Sequence, residues 1–248
     1  MKITNLLRKK PFSIVGHRGA AGELPENTLK AFEYAIELGV DVVECDVRRT
    51  KDGNLIILHD KDFSRVAGVE KSPSEMTLNE IKKEIRIGGE EVPTLQEVIS
   101  LVQGKCGLFI EIKEPETTDK VVETIEKTAG KTDWIAIISF YEEAIKRVGE
   151  ISNISKGLIY SRPPGKIVEA RELNCQIVLP RWQLATEKAV KFAHKLKLTV
   201  VAWTINDSQT LEKVVRRGVD AVATDYPSRL IKERKTLTDS GKFTELDL

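Results

Sequence analysis

Three short stretches in the N-terminal quarter of the chain carry the side chains best suited to chemistry: His17-Arg18-Gly19, Glu44-Cys45-Asp46 and His59-Asp60. The two imidazoles titrate near neutral pH and can take a proton from one group and give one to another. The guanidinium forms a fork that matches a phosphate, and the carboxylates are ligands for a divalent cation. Few structural needs call for all of these groups together, so the set indicates an enzyme that acts on a phosphate ester.

A second pair of charged side chains lies at Glu111 and Lys113. Side chains two positions apart on a strand share a face, so Glu44 and Asp46 point the same way, and so do Glu111 and Lys113. If both pairs face one interior, three carboxylates converge, which is unfavourable unless a cation lies among them. All-oxygen ligands suit Mg²⁺, Ca²⁺ or Mn²⁺ rather than zinc. The alternatives are a solvated strand edge for the first pair and a surface ion pair for the second.

Short β-branched runs alternate with amphipathic segments, which predicts repeated strand–helix units to position these residues. The predicted strands are Ser13–His17, Val40–Val47, Leu55–His59, Leu108–Lys113, Trp134–Phe140, Gly157–Ser161, Gln176–Pro180, Thr199–Ile205 and Ala221–Thr224. The predicted helices are Thr28–Leu38, Leu95–Val102, Asp119–Ala129, Glu142–Ile151, Ile167–Leu173, Glu187–Leu196, Ser208–Arg217 and Ser228–Lys235.

Asp52-Gly53 is a hairpin turn, and the connection around it is too short for a parallel crossover. Leu55–His59 is therefore expected to fold back antiparallel beside Val40–Val47. The remaining strands predict an α/β fold, a (β/α)₈ TIM barrel with a β-hairpin and a small insertion after the second barrel strand. A doubly wound open sheet is the alternative, but its Gly-rich phosphate turn after the first strand is missing.

We expect residues 1–235 to form one barrel domain that includes the insertion, residues 61–91. The insertion is polar and lies over the barrel mouth in this interpretation, with a short helix at Leu78–Ile85 that ends at Gly88-Gly89. Residues 236–248 are predicted to be a polar tail.

At 248 residues and 41% hydrophobic, the chain can bury a large core. Its 39 basic and 38 acidic residues make nucleic acid an unexpected partner. Three widely spaced cysteines fit neither a disulfide framework nor a zinc site, and the N-terminus lacks a secretory signal pattern. We therefore expect a cytoplasmic protein without stable membrane insertion; the sequence does not indicate an oligomeric state.

Barrel enzymes place their active sites at the C-terminal ends of the strands. His17 ends the first predicted barrel strand, and His59 ends the hairpin return that starts from the strand with Glu44 and Asp46. A lone histidine at either position is compatible with a core or turn role. Two of them beside a carboxylate cluster indicate an acid–base pair, which phosphodiester cleavage requires. His194, the third histidine of the chain, lies among lysines on a helix and is assigned a surface role.

Four other residues are candidates for substrate binding. Arg18 and Lys113 suit the phosphate, where they would offset charge that builds up in the transition state, although each also has acids nearby to pair with. Trp203 is compatible with either the core or a wall of the substrate site. Either Asn27 or Thr28 is compatible with a helix cap, and Asn27 is also compatible with a role in the site.

At these residues the chain resembles the glycerophosphodiester phosphodiesterase family. The resemblance extends over nearly the full length, and its motifs are Val15-Gly16-His17-Arg18-Gly19, Pro25-Glu26-Asn27-Thr28, Glu44-Cys45-Asp46-Val47, Leu58-His59-Asp60, Pro93-Thr94-Leu95, Glu111-Ile112-Lys113, Trp203-Thr204-Ile205-Asn206 and Thr224-Asp225-Tyr226-Pro227. After His59-Asp60 the family commonly shows an arginine and then a Thr/Gly-rich run. Here Arg65 is present but the run is not, which leaves the choice of alcohol open.

The resemblance implies a (β/α)₈ barrel that hydrolyses glycerophosphodiesters to glycerol 3-phosphate and an alcohol. It implies a divalent cation on Glu44, Asp46 and Glu111, and an acid–base pair formed by His17 and His59. In the family, the glycerol 2-hydroxyl attacks phosphorus and water then opens the cyclic phosphate.

Three alternatives remain at this point. The same site would serve a lysophospholipase D, which calls for an apolar mouth. It would also serve a related barrel that releases a cyclic product. A non-catalytic barrel that binds phosphate ligands is the third, although binding alone would not need two titrating groups.

Overall fold

Eight parallel strands close into a barrel in the structure, a computed structural model that describes residues 2–239. In chain order the strands are β1 (Ser13–Gly16), β2 (Val42–Arg49), β3 (Leu55–Ile57), β4 (Arg86–Ile87), β5 (Glu90–Glu91), β6 (Gly107–Ile112), β7 (Ile135–Ser139), β8 (Ser155–Tyr160), β9 (Ile177–Pro180), β10 (Thr199–Ala202) and β11 (Ala221–Thr224). The barrel order is β1-β2-β6-β7-β8-β9-β10-β11, and parallel pairing of β1 with β11 closes it. The predicted (β/α)₈ barrel is confirmed.

Most helices follow a barrel strand and cover the outside of the barrel, whereas α1 precedes β1, and α3 and α4 belong to the insertion. They are α1 (Ile3–Leu6), α2 (Leu29–Leu38), α3 (Ser64–Ala67), α4 (Leu78–Glu84), α5 (Leu95–Val102), α6 (Thr118–Ala129), α7 (Glu142–Ile151), α8 (Ile167–Glu172), α9 (Glu187–Lys195), α10 (Ser208–Arg216) and α11 (Pro227–Asp239). None of the helices within residues 2–239 combines the length and the apolar character needed to cross a bilayer.

The short helix α1 packs against the interior of the barrel, which the sequence pattern did not predict. Its Ile3 and Leu6 are buried in the same apolar cluster as Val42 and Phe109 of the barrel lumen. At Gly107, where β6 begins, an added Cβ would lie 2.6 Å from Cδ1 of Ile3. The glycine therefore makes room for α1 at the N-terminal end of the barrel, opposite the end where barrel enzymes carry their active sites.

The predicted hairpin is confirmed, because β3 pairs antiparallel with β2 in a register that sets Val47 opposite Ile57 and Arg49 opposite Leu55. This pairing prolongs β2 by two residues beyond the predicted end at Val47. Glu44 and Asp46 consequently lie inside a strand, in register with Phe109 and Glu111 of β6, rather than at a strand end.

The insertion folds around a small core of its own. Phe63, Met76 and Ile81 are buried there against Ile56 of β3. The prediction that Gly88-Gly89 ends a helix is wrong. Both glycines instead form the turn between β4 and β5. This turn requires φ values of +57° and +90°, which glycine adopts more readily than other residues.

The insertion also contacts the loop that follows β1. A Cβ at Gly88 would overlap the ring of Pro25, so the β4–β5 turn packs closely on that loop. At the other end of the chain, α11 continues to Asp239, beyond the predicted Lys235. Part of the predicted tail is therefore helical, and its residues 240–248 lie outside the described part of the chain.

Candidate active site

Neighbouring strands β2 and β6 hold three carboxylates side by side in the barrel. Parallel pairing sets Asp46 of β2 opposite Glu111 of β6, and Glu44 lies two residues before Asp46 on the same face. Cys45 points the other way, into the apolar layer between strands and helices. One oxygen from each of Glu44, Asp46 and Glu111 lies within 4.8 Å of the other two, and all three residues are buried.

The electrostatics of this triad favour a bound cation. Burial raises the pKa of Glu44 to about 8, and the charge of Asp46 adds to the rise. Burial also raises the pKa of Glu111. For Asp46 burial alone would raise the pKa, but the charges of Lys113 and Arg18 outweigh it and keep the pKa below its ordinary value.

Oε1 of Glu44 is buried and accepts no hydrogen bond from the residues described. Buried polar atoms in native proteins nearly always have a partner, so an oxygen without one points to a missing ligand. A divalent cation among the carboxylates would bind this oxygen and favour ionisation of Glu44 and Glu111. The residues present therefore fit a hard cation of the Mg²⁺, Ca²⁺ or Mn²⁺ class.

His17 is held from the end of the last barrel strand. Its Nδ1 lies 2.6 Å from Oδ1 of Asp225, the residue that follows β11. Asn206 donates its side-chain amide to the other oxygen of Asp225 at 2.7 Å and accepts from the Asp225 backbone N–H at 2.9 Å. Burial would lower the pKa of His17, but the Asp225 hydrogen bond and the charge of Glu44 raise it overall. Nδ1 is thereby occupied, and Nε2, 4.0 Å from Glu44, is left for a ligand.

His59 is held in a similar way by Asp60, the residue that precedes the insertion. Its Nδ1 lies 2.8 Å from Oδ1 of Asp60, and Arg65 donates to the other oxygen of Asp60 at 2.5 Å. Its backbone carbonyl accepts from Nε and Nη2 of Arg48 at 3.2 and 2.9 Å. Burial lowers the pKa of His59, and the cations Lys113 and Arg18 lower it further. Both histidines therefore have Nδ1 on an aspartate.

Arg18 lies between the triad and the loop after β1. Its backbone N–H donates to Glu44 at 2.9 Å, and its guanidinium contacts Glu26 at 2.9 Å and Asp46 at 3.3 Å. The φ of Arg18 is +50°, in the left-handed region that non-glycine residues rarely adopt. Strain of this kind concentrates where a side chain has to be aimed at a functional site.

Lys113 and Asn27 surround Asp46 from two other sides. Lys113 Nζ lies 3.0 Å from Asp46 and 2.6 Å from Glu111. Asn27, which has a φ of +58°, donates its amide to Asp46 at 2.8 Å. The helix cap that Asn27 was a candidate for is supplied by Thr28 instead, whose hydroxyl accepts from the Ala31 N–H.

A cavity of about 230 Å³ opens at this end of the barrel. One side is charged and includes both histidines, Arg18, Lys113, Glu44 and Glu111. The other side is apolar and includes Ile138, Phe140, Ile159, Leu179 and Trp203. Trp203 donates its indole N–H to the Leu179 carbonyl at 2.7 Å and meets Phe140 edge-on with ring centroids 5.7 Å apart. Trp203 is therefore a wall of the cavity as well as a partner of the core.

Seven of the nine candidate site residues line this cavity: His17, His59, Arg18, Lys113, Trp203, Glu44 and Glu111. Asn27 and Asp46 lie directly behind them. Sequence reasoning placed Asp60 beside His59 and Asp225 directly after the last barrel strand, but it did not assign either aspartate to a histidine. Nothing in the sequence pattern related Arg65 to Glu26. His194 is exposed and pairs with Asp220 on the surface.

Comparisons with known proteins cover nearly the whole chain. A sequence profile of the glycerophosphoryl diester phosphodiesterase family matches residues 17–229. The glycerophosphodiester phosphodiesterase of Caldanaerobacter subterraneus subsp. tengcongensis is 31% identical over 247 residues, which cover 88% of this chain and 96% of that protein.

Two solved structures give the same result. A phosphodiesterase from Oleispira antarctica in complex with the product sn-glycerol-3-phosphate has a TM-score of 0.85 at 26% identity, covering 94% of this chain and 99% of that chain. A glycerophosphodiester phosphodiesterase from Thermotoga maritima has a TM-score of 0.78 at 28% identity, covering 89% of this chain and 97% of that chain.

Proposed function

Because this chain belongs to the glycerophosphoryl diester phosphodiesterase family, we propose that it hydrolyses glycerophosphodiesters to sn-glycerol 3-phosphate and an alcohol. One observation carries the proposal: His17 and His59 line the same small cavity as Glu44 and Glu111, two of the three clustered carboxylates. Each histidine has its Nδ1 on an aspartate. This arrangement supplies two proton-transfer groups beside a site for a cation.

The residues that would hold the cation are Glu44, Asp46 and Glu111. When bound, a divalent cation would supply positive charge to the phosphate oxygens and to the hydroxyl that attacks. Arg18 and Lys113 contribute fixed positive charge to the same place, because both line the cavity beside the carboxylates. Their charges would stabilise negative charge that develops on the phosphoryl oxygens.

The histidines move the protons. One imidazole takes the proton of the glycerol 2-hydroxyl as its oxygen bonds to phosphorus, and the other gives a proton to the alkoxide that leaves. Water then opens the cyclic phosphate with the two roles reversed. Asp225 and Asp60 keep each ring in one orientation and hold the proton of Nδ1, so that Nε2 is the atom that exchanges protons.

The test is release of sn-glycerol 3-phosphate from glycerophosphocholine by the purified protein, with Mg²⁺, Ca²⁺ or Mn²⁺ added and with EDTA. We expect release that EDTA abolishes and that the His17→Ala and His59→Ala variants lack. His194→Ala is the matched control, since His194 also pairs with an aspartate but lies on the surface. Full activity in both active-site variants would refute the acid–base assignment, and activity in EDTA would refute the cation site.

A second candidate is a lysophospholipase D activity on the same site. The observation that favours it is the apolar half of the cavity, which includes Phe140, a large apolar side chain that is 37% exposed. The comparison of lysophosphatidylcholine with glycerophosphocholine at equal concentration distinguishes the two. Faster choline release from the lysophospholipid would favour this candidate.

A further inference from the structure

One guanidinium of the insertion connects two segments that are far apart in the sequence. Arg65 of α3 donates from Nη1 and Nη2 to both oxygens of Glu26, at 2.8 and 2.6 Å, and from Nε to Asp60 at 2.5 Å. Glu26 lies in the loop after β1, and Asp60 follows β3. We call these three residues, Glu26, Asp60 and Arg65, the Arg65 bridge.

Each carboxylate of the Arg65 bridge also holds an active-site residue on its other side. Asp60 contacts Nδ1 of His59 at 2.8 Å, and Glu26 accepts from Nη1 of Arg18 at 2.9 Å. A continuous series of hydrogen bonds therefore joins His59 to Arg18 through Arg65. Planar, two-pronged contacts between a guanidinium and a carboxylate fix orientation as well as distance.

The Arg65 bridge also balances the negative charge of Glu26, the carboxylate that contacts Arg18. Burial would raise the pKa of Glu26, but the hydrogen bonds from Arg65 and the charge of Arg18 lower it, so Glu26 is an anion. Arg65 donates to both oxygens of Glu26, so two cations, Arg65 and Arg18, share in balancing the charge of this carboxylate. Without Arg65, Arg18 would be the only cation within residues 2–239 in contact with Glu26 and would be drawn toward it.

We propose that Arg65 is a positioning residue that sets His59 and Arg18 relative to each other through Asp60 and Glu26. The inference rests on the proposed function, in which His59 transfers a proton and Arg18 binds the phosphate. Arg65 does not line the cavity and acts only through these partners. Because Arg65 lies on α3, this role would make the insertion part of the structure that positions the site.

A purely structural ion pair is the alternative to positioning. Arg65 is 52% exposed, but its partner Glu26 is only 14% exposed, so solvent screens this ion pair only in part. The chain offers a matched control in Arg147 of α7, which is 45% exposed and makes a similar two-pronged contact with Asp119 at 2.8 and 2.7 Å. Loss of either arginine removes an exposed guanidinium from carboxylates, but only Arg65 is connected to the site.

The first experiment compares Arg65→Ala, Arg65→Lys and Arg147→Ala in the glycerophosphocholine assay, with thermal unfolding of each variant. We expect kcat/KM of Arg65→Ala to fall by about 10- to 100-fold, because small displacements of reacting groups have effects of that size. KM should rise through Arg18 and kcat should fall through His59, whereas Arg147→Ala should keep the wild-type values of both. Millimolar guanidinium should restore part of the activity of Arg65→Ala, and Arg65→Lys should be intermediate.

The second experiment does not depend on turnover. The chain has three histidines, so a long-range ¹H–¹⁵N spectrum resolves each imidazole. In wild type we expect His59 in one tautomer, with its proton on Nδ1. In Arg65→Ala its signals should move toward a mixture of tautomers while those of His194 stay unchanged. His59 signals identical in the two proteins would overturn the inference.

The two experiments separate the two proposals. An inactive wild-type protein whose His59 signals change in Arg65→Ala would refute the proposed function and support the positioning role. An active wild-type protein with kcat and KM unchanged in Arg65→Ala would refute the positioning role alone. If Arg65→Ala does not fold, Glu26→Gln gives the same test from the other side of the bridge.

Discussion

Replacing Asp225 by asparagine removes one charge from the group that holds His17 and leaves its shape almost unchanged. Asn206 donates to one oxygen of Asp225, and Nδ1 of His17 lies 2.6 Å from the other. In the Asp225→Asn variant the amide oxygen still matches the Asn206 donor, so the amide nitrogen faces His17. A donor at Nδ1 forces the imidazole proton onto Nε2, which leaves no lone pair on the atom that faces the cavity.

The size of the effect follows from that one hydrogen bond. A hydrogen bond to a charged group contributes about 1.5–3 kcal/mol, and about 1.36 kcal/mol corresponds to a tenfold change in rate. We therefore expect kcat of Asp225→Asn to fall by about 10- to 150-fold. KM and the affinity for the cation should change little, because Asp225 is not among the three clustered carboxylates.

The assay is release of sn-glycerol 3-phosphate from glycerophosphocholine under saturating Mg²⁺. The matched control is Asp220→Asn, because Asp220 pairs with His194 on the surface at 2.8 Å. This control should keep the wild-type kcat. A kcat for Asp225→Asn within twofold of wild type, with the same melting temperature, would refute the argument that Asp225 sets the tautomer of His17.

Three further predictions concern the cation, the turn after β1 and a helix cap. Glu44→Gln should weaken Mg²⁺ binding in calorimetry by more than the about 10-fold that loss of an outer-shell partner costs. Gly16→Ala should lower both activity and the melting temperature, the latter by about 2–12 °C, because the new Cβ would overlap the carbonyl oxygen of Gly19 and displace the turn that carries the site. Thr94→Ala should lower the melting temperature by about 2–4 °C and leave kcat unchanged, because it removes only the cap that Thr94 and Glu97 form on α5.

The barrel was predictable from the sequence because its signals are local. Apolar spacing and flanking turn residues predicted both ends correctly for α5 (Leu95–Val102) and β11 (Ala221–Thr224). Asp52-Gly53 identified the hairpin for the same reason. Helix α1 was missed because four residues cannot show a helical period, and its burial depends on the opening of a barrel formed by distant strands.

The candidate site was predictable where strand geometry alone decides it. Glu44 and Asp46 share a face because they are two residues apart, and the barrel brings Glu111 beside them. The contacts that orient the two histidines were not predictable. Asp225, for example, bonds to His17 across 208 positions of sequence. Such contacts depend on which loops meet at the C-terminal end of the barrel, and periodicity carries no information about that.

His17 and His59 are held by different partners, so substitutions in the insertion are expected to affect them differently. His17 depends on Asp225, which directly follows β11, and on Asn206 in the loop after β10. His59 depends on Asp60 and, through it, on Arg65 of the insertion. Changes in the insertion can therefore alter the placement of His59 without acting on the partners of His17. Since the insertion also contacts the loop that carries Glu26, its sequence can tune the site without any change in the barrel.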